Sequence, residues 1–423
     1  SFIGLDTSNA AGGVFTYGSV IEDTHSRQNT LGLVKMGAGT LLLTGASTYT
    51  GGTSIAEGTL ALSGGNNRLL ATGVVSFTGS SGALDIGSTS QTLSGLTFPT
   101  TGTGSHVITG AGGTLTVNKG SIQVGGGSAT TSGSETLDMS GLSAFIFTNT
   151  TGNFHVGGLA NSASGSITGS GTLSLASTNT ITAASFKINP FSTGLNSLNT
   201  GTVHLGQTNT INATTFLIGE QKTVALLDFQ AGLINPTLKI RGTGGSDTDR
   251  AAVTLGFNAS GILDSVSTVD LVTGVTGSSI LDAKISTLLI GQSIRNGSAG
   301  RAATGTFLMG MGTMDATTII LGQQAAVTGG NSSGNATATL SLSGGTITVG
   351  TFTLADKLAT TTAQTINSTF NLFSGTLNAT TIQRGTAGTA AGAATATINF
   401  NWVDGTISNI AGANQTVSGN TAV

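Results

Sequence analysis

Cysteine is absent from this chain of 423 residues, which excludes disulfides and thiolate metal sites. Charge is scarce. The 14 Lys and Arg against 17 Asp and Glu give a formal net charge of −3, and charged residues make up 7% of the chain. Ordinary soluble domains carry about 25%. This near-neutral balance removes the electrostatic basis for binding nucleic acid or an anionic membrane surface. No run approaches the ~18 consecutive apolar residues that cross a bilayer as a helix. No sustained 3.6-residue period is present, and no Glu/Lys-rich face could solvate a helix, so helices are expected to be nearly absent. Disorder is excluded too, because it pairs low hydrophobicity with high net charge, and 37% of this chain is hydrophobic.

What is abundant is glycine, at 67 residues, with threonine, serine and asparagine carrying the polar share. These residues suit half-buried strands and tight turns. A Gly-Thr-apolar step recurs from end to end, at Gly39-Thr40-Leu41, Gly58-Thr59-Leu60, Gly113-Thr114-Leu115, Gly171-Thr172-Leu173, Gly201-Thr202-Val203, Gly305-Thr306-Phe307, Gly345-Thr346-Ile347, Gly375-Thr376-Leu377 and Gly405-Thr406-Ile407. Glycine permits a sharp corner and β-branched threonine favours the strand that follows. The step returns after 30 residues between 171 and 201, and again at 345, 375 and 405. Periods of 20–50 residues mark solenoids. Strand-type units without helices predict an all-β chain, a right-handed parallel β-helix forming one elongated rod over 1–423. At ~20–30 residues per coil that gives about 14–21 coils and a length on the order of 70–100 Å. The repeat is interrupted near 220–262, which holds Pro236 and the charged segment GTGGSDTDR; an irregular coil or a protruding loop is expected there.

Residues 31–62, LGLVKMGAGTLLLTGASTYTGGTSIAEGTLAL, read as two short alternating strands joined by a Gly/Thr/Ser turn. Leu33, Lys35, Gly37, Gly39, Thr40, Leu41, Leu43, Gly45, Tyr49, Gly51, Thr53, Ile55, Gly58, Thr59, Leu60 and Leu62 fall at the positions of the autotransporter-associated β-strand repeat, also called the passenger-associated transport repeat. The segment closely resembles that repeat. Flanking coils extend the resemblance over about 17–124; residues 125–423 rest on periodicity alone. The resemblance implies a secreted parallel β-helix, extracellular or at the bacterial cell surface, in which most of the chain is scaffold. The membrane β-barrel that ends autotransporters is not seen in this sequence. A start at Ser1 without Met reads as a removed signal segment or a fragment.

Chemistry-bearing patterns are weak. Gly330-Asn331-Ser332-Ser333-Gly334 matches a nucleophile-elbow pattern, but that needs a strand before it and a helix after it. His25, His106, His155 and His204 lie far apart in sequence; the last three are evenly spaced by 49 residues, yet none sits in a metal-ligand spacing and they read as ordinary strand or turn residues. Asp247, Asp249 and Arg250 form the best charged cluster, with oxygen ligands for Ca²⁺ as the functional reading and a solvated loop as the bland one. Glu135 and Asp138, three apart, carry little meaning in a strand or loop. Asn212, Asn258, Asn335 and Asn378 head Asn-x-Ser/Thr triplets, which are sugar acceptors only where the host glycosylates them. Trp402 reads as a packing residue near the end of the stack.

No catalytic, cofactor-binding or metal-binding residue is therefore assigned, and the chain reads as non-enzymatic. Three functions compete. The first is an extracellular structural protein that self-assembles head to tail into a filament, sheath or surface layer. The second is a monomeric passenger adhesin that binds a cell surface or glycan. A polysaccharide-active β-helix enzyme is the remote third. Lys119 is followed by no Lys or Arg until Lys187, so resistance to trypsin is also expected.

Overall fold

The computed structural model describes residues 1–127, 131–158, 168–190, 198–259, 263–294, 301–324, 334–358, 364–386 and 396–408. They form strands joined by turns, with two short helical turns at Ala11–Gly13 and Thr24–Arg27. Every strand ladder among them is parallel. The shortest step between paired residues runs from Thr40 to Thr59, and the longest from Thr237 to Ile280. Parallel pairing needs a long return path. Here the rest of each coil supplies it, so the sheet winds as a helix rather than closing as a barrel.

One column traces the whole stack. It runs Val14, Thr40, Thr59, Ala83, Val107, Asp138, Ser174, His204, Asp228, Asp270, Leu308, Ser341, Asn371, Asn401, each paired with the next. At a strand spacing of about 4.8 Å the column rises roughly 60 Å. The fold is an all-β parallel β-helix.

The coil size varies near the N-terminal end, where Phe2 pairs with Gly32 but Thr40 with Thr59. Thr59 pairs with Ala83 and Ser81 with Ser105, whereas Gly102 reaches as far as Gly133. Phe2–Asp6, Gly32–Met36, Thr53–Ile55, Val74–Phe77 and Gly95–Thr97 stack as a separate five-stranded ladder. That ladder stops at Gly95–Thr97; a new one starts at Ile122–Val124, which pairs onward with Phe154 to Val156. Between residues 171 and 215 the period seen in the sequence is literal. Gly171 pairs with Gly201, Thr178 with Thr208 and Ser185 with Thr215.

Alternation along each strand separates core from surface. Leu137, Leu173, Val203, Leu227, Val269, Phe307, Leu340 and Phe370 form one buried column. Two residues earlier on the same strands stand Gly171, Gly201, Ala225, Ser267, Gly305 and Ala338. Another column stacks the rings of Phe154, Phe186 and Phe216, with centroids 5.5 and 4.9 Å apart. Polar side chains build ladders of their own: Asn179 Nδ2 donates to Asn209 Oδ1 at 2.8 Å, and Asn401 Nδ2 to Asn371 Oδ1 at 2.8 Å.

The stretch near 220–262 holds three ladder strands, Thr223–Phe229, Thr237–Arg241 and Ala251–Asn258. The periodicity is lost there because the steps become uneven: Gly201 pairs with nearby Ala225, but Ala225 pairs onward only with distant Ser267. Trp402 continues the column of Leu342 and Leu372, stands 58% exposed, and donates its indole N–H to Gly405 O at 3.1 Å.

Candidate functional site: the repeat turn and the buried ionisable groups

The best-defined local construction is the turn system of residues 33–62. Lys35 occupies an inward column between Leu5 and Ile55, where an apolar residue would be expected, and is fully buried. Its stem packs in the core while its ammonium donates to Met36 O (3.0 Å), Gly37 O (2.7 Å) and Glu57 O (2.9 Å). The last acceptor belongs to the next coil. Burial holds the Lys35 amine below its usual value, against the opposing pull of Glu57 and Asp6. Gly37 and Gly58 both have positive φ (76° and 67°), and a Cβ at Gly58 would collide with Gly37 O. Tyr49 is buried with its hydroxyl 2.5 Å from Thr53 Oγ1, and burial pushes its pKa up to about 12. Leu41 pairs with Leu60 and Leu43 with Leu62, stacking the two strands in register.

The loop leading into this region is pinned by Asp23. Its carboxylate accepts from Leu31 N–H (2.8 Å), Thr50 N–H (3.0 Å) and Thr50 Oγ1–H (2.7 Å). His25 lies exposed on the same loop.

The evenly spaced histidines do not stack, because their spacing matches no coil length. His106 is inward and fully buried, and its Nδ1 lies 2.5 Å from Oε1 of buried Glu135. Phe77 and Phe98 flank the imidazole, at centroid distances of 4.7 and 6.1 Å. Among the described residues, His106 Nε2 and Glu135 Oε2 find no hydrogen-bond partner. Sequence reasoning missed this pair. A signal was present: Gly133–Asp138 reads GSETLD and Gly169–Ser174 reads GSGTLS, and the two strands pair residue for residue. Glu135 therefore stands in the glycine position of the Gly-Thr step.

His155 faces outward on another side, half-buried. Its Nε2 lies 3.0 Å from Ser185 Oγ, which donates to Asn153 Oδ1 at 2.7 Å. The serine proton is committed to the amide, so His155 donates to Ser185 and does not act as its base. Burial, helped by the nearby Lys187 charge, pushes His155 down to about 4. His204 Nδ1 lies 2.6 Å from Asp228 Oδ1, and that bond raises the imidazole above its ordinary value.

The charged segment at 242–250 is held by arginines. Buried Arg241 donates through Nη2 to both oxygens of Asp282 (2.9 and 2.8 Å) and to Asp247 (2.7 Å). Arg250 Nη2 donates to both oxygens of Asp315 (2.9 and 3.0 Å), which also accepts from Lys284 (3.0 Å). Asp249 accepts from Ser246 Oγ (3.2 Å) within its own turn. Asp247 and Asp249 thus serve different partners and do not converge as a ligand set. Among the described residues no three His, Asp or Glu side chains lie close enough to share a metal ion, and no helix is long and apolar enough to cross a membrane. Asn212 and Asn258 are buried and bonded to Thr182 Oγ1 and Ala302 O, so neither presents a free amide. Asn335 is exposed and Asn378 half-buried. Ser332 lies outside the described residues.

Residues 33–62 match the passenger-associated-transport-repeat family. No curated protein and no solved structure matches the chain.

Proposed function

We propose that this chain is a non-enzymatic scaffold of a secreted, passenger-type bacterial surface protein, a stiff β-helical rod. The observation that carries this reading is the column of residues paired strand by strand from Val14 to Asn401. The charged cluster of the sequence supports it: Asp247 pairs with Arg241, Arg250 with Asp315 of another coil, and Asp249 bonds Ser246 in its own turn, so the three do not converge on a cleft. The matched repeat supports secretion and surface display.

End-to-end assembly into a filament or surface layer is the finer form of this proposal. Its support is geometric and compositional. Each coil carries the same parallel N–H and C=O pattern on its edges, which templates a further strand. A net charge of −3 offers little repulsion between copies. Electron microscopy across a concentration series tests both forms. Rods at low concentration that join lengthwise as concentration rises support both. Isolated rods at every concentration retain the scaffold and remove the filament, leaving adhesion to a glycan or cell surface as the role to screen. Turnover of a polysaccharide, lost on replacing one acidic residue, would contradict the non-enzymatic reading.

A further inference from the structure

We propose that Asn335 is a glycan acceptor, whose side-chain nitrogen takes a sugar in N-glycosidic linkage from a phosphate-activated donor. Asn335-Ala336-Thr337 is one of several Asn-x-Ser/Thr triplets in the chain. What sets it apart is the work its asparagine does for the fold, and the atom that this work leaves free.

Three strands of the stack are preceded by a polar residue with the same duty. Ser132 stands before Gly133–Asp138, Asp264 before Ser265–Asp270 and Asn335 before Ala336–Lys357. Ser132 Oγ accepts from Thr168 N–H at 3.0 Å, Asp264 Oδ1 from Ala302 N–H at 2.9 Å, and Asn335 Oδ1 from Thr365 N–H at 3.0 Å. Each time the following residue returns a backbone bond. Gly133 N–H donates to Thr168 O at 3.0 Å, Ser265 N–H to Ala302 O at 2.9 Å, and Ala336 N–H to Thr365 O at 3.0 Å. A hydroxyl, a carboxylate and an amide all serve, so the task asks only for an oxygen. At Asn335 that oxygen is used twice, because Thr365 Oγ1 also donates to it at 3.1 Å. The nitrogen is surplus to the fold. Asn335 is exposed, and its Nδ2 has no partner among the described residues.

The other described triplets are more closed. Asn149 Nδ2 donates to Gly120 O at 2.6 Å, Asn212 Nδ2 to Thr182 Oγ1 at 3.1 Å, and Asn258 Nδ2 to Ala302 O at 2.8 Å. Asn367 and Asn378 are half-buried inside a ladder strand with a paired residue on each side. Thr337 and Thr397 flank Asn367, and Thr348 and Ser408 flank Asn378. At Asn335 the triplet threonine, Thr337, lies two residues on and half-buried, with Ala336 buried between the two. Alternation puts Asn335 and Thr337 on the same outer side. Asn296, Asn331 and Asn414 head triplets outside the described residues.

The chain supplies the acceptor, and a separate transferase supplies the catalysis. The bond between the donor's anomeric carbon and its phosphate oxygen breaks, and the phosphate leaves with the electron pair. Nδ2 bonds that carbon and gives one proton to a base of the transferase. A nucleotide-linked and a lipid-linked sugar diphosphate offer the same chemistry. The product keeps Oδ1, so both bonds from Thr365 survive the modification.

Mass spectrometry of the full chain recovered from the cells that make it, with fragmentation that localises the modified residue, tests this. A sugar is expected on Asn335 and none on Asn149, Asn212 or Asn258. Sugars of varying number at the site indicate stepwise transfer from a nucleotide donor, and one oligosaccharide of uniform size indicates a lipid-linked donor; either supports the acceptor. Asn335→Asp keeps the oxygen that holds Thr365, as Asp264 holds Ala302, and should lose the sugar while the chain still folds. Thr337→Val suits a strand and leaves Asn335 in place, yet should also lose the sugar, whereas Thr337→Ser should retain it. A bare Asn335 in the native chain, equal occupancy at Asn212 and Asn258, or a sugar that persists in Thr337→Val would each overturn the proposal.

Discussion

The ammonium of Lys35 lies 2.9 Å from the main-chain oxygen of Glu57, a residue of the next coil. Together with Met36 O and Gly37 O this fastens two successive turns through one side chain. The Lys and paired glycines of the matched repeat thereby gain a physical role: the glycines turn the carbonyls inward and the lysine satisfies them. Lys35→Met retains the stem and loses the three bonds. A loss of about 2–4 kcal/mol in urea unfolding is expected, since unpaired buried carbonyls cost the full desolvation penalty. Lys35→Arg should not rescue it, because a planar fork does not reproduce three converging donors.

Gly104 and Glu135 are predicted to be coupled. Gly104→Ala places a methyl against Glu135 Oε2. It should destabilise the chain by about 1–3 kcal/mol, as overpacking does. In a Glu135→Gly background the same substitution should cost little, and a double-mutant cycle of thermal unfolding measures the difference.

His155 should weaken the chain in acid. Its pKa is pushed down to about 4, so the folded form prefers the neutral ring. The associated stability is complete above the ordinary histidine value and is lost as pH falls from about 6.5 towards 4. NMR titration should place His155 near 4. Lys187→Met should raise that value, because the Lys187 charge contributes to the shift. His204 has the opposite sign. Its raised pKa gives stability present below about pH 6.5 and lost as pH rises through the folded value.

Arg241 and Asp247 should differ sharply. Arg241 is buried and bonds Asp282 and Asp247 as well as two backbone oxygens. Arg241→Met is expected to cost about 2–4 kcal/mol in urea unfolding. Asp247 is 74% exposed, and Asp247→Asn should change stability by less than about 1 kcal/mol. Added Ca²⁺ should leave Tm unchanged, since these carboxylates already face arginine.

Much of the architecture was legible in the chain because a β-helix repeats its register in its sequence. The return of Gly171-Thr172 at Gly201-Thr202 is the hydrogen-bonded pairing itself. The matched repeat was legible for the same reason, its motif positions being turn glycines and residues stacked in register, such as Leu41 on Leu60. Uneven steps hid the rest. Arg241 meets Asp282 and Arg250 meets Asp315 across separations that no fixed period indicates. His106 meets Glu135 where the coil step is changing, and the even spacing among three histidines matched no coil length.

One continuous stack, with the coil length that the sequence repeats, is the central claim, and a cross-coil disulfide tests it most directly. Thr200 Oγ1 donates to Ser170 Oγ at 2.9 Å, and the chain has no cysteine of its own. Neighbouring strands about 4.8 Å apart fall within the Cα separation a disulfide tolerates. Ser170→Cys/Thr200→Cys should oxidise under mild conditions with loss of both free thiols, while Ser170→Cys/Val203→Cys, on opposite faces of the sheet, should keep them. Retention of both thiols in the first pair, or equal oxidation of the two pairs, would contradict the stack.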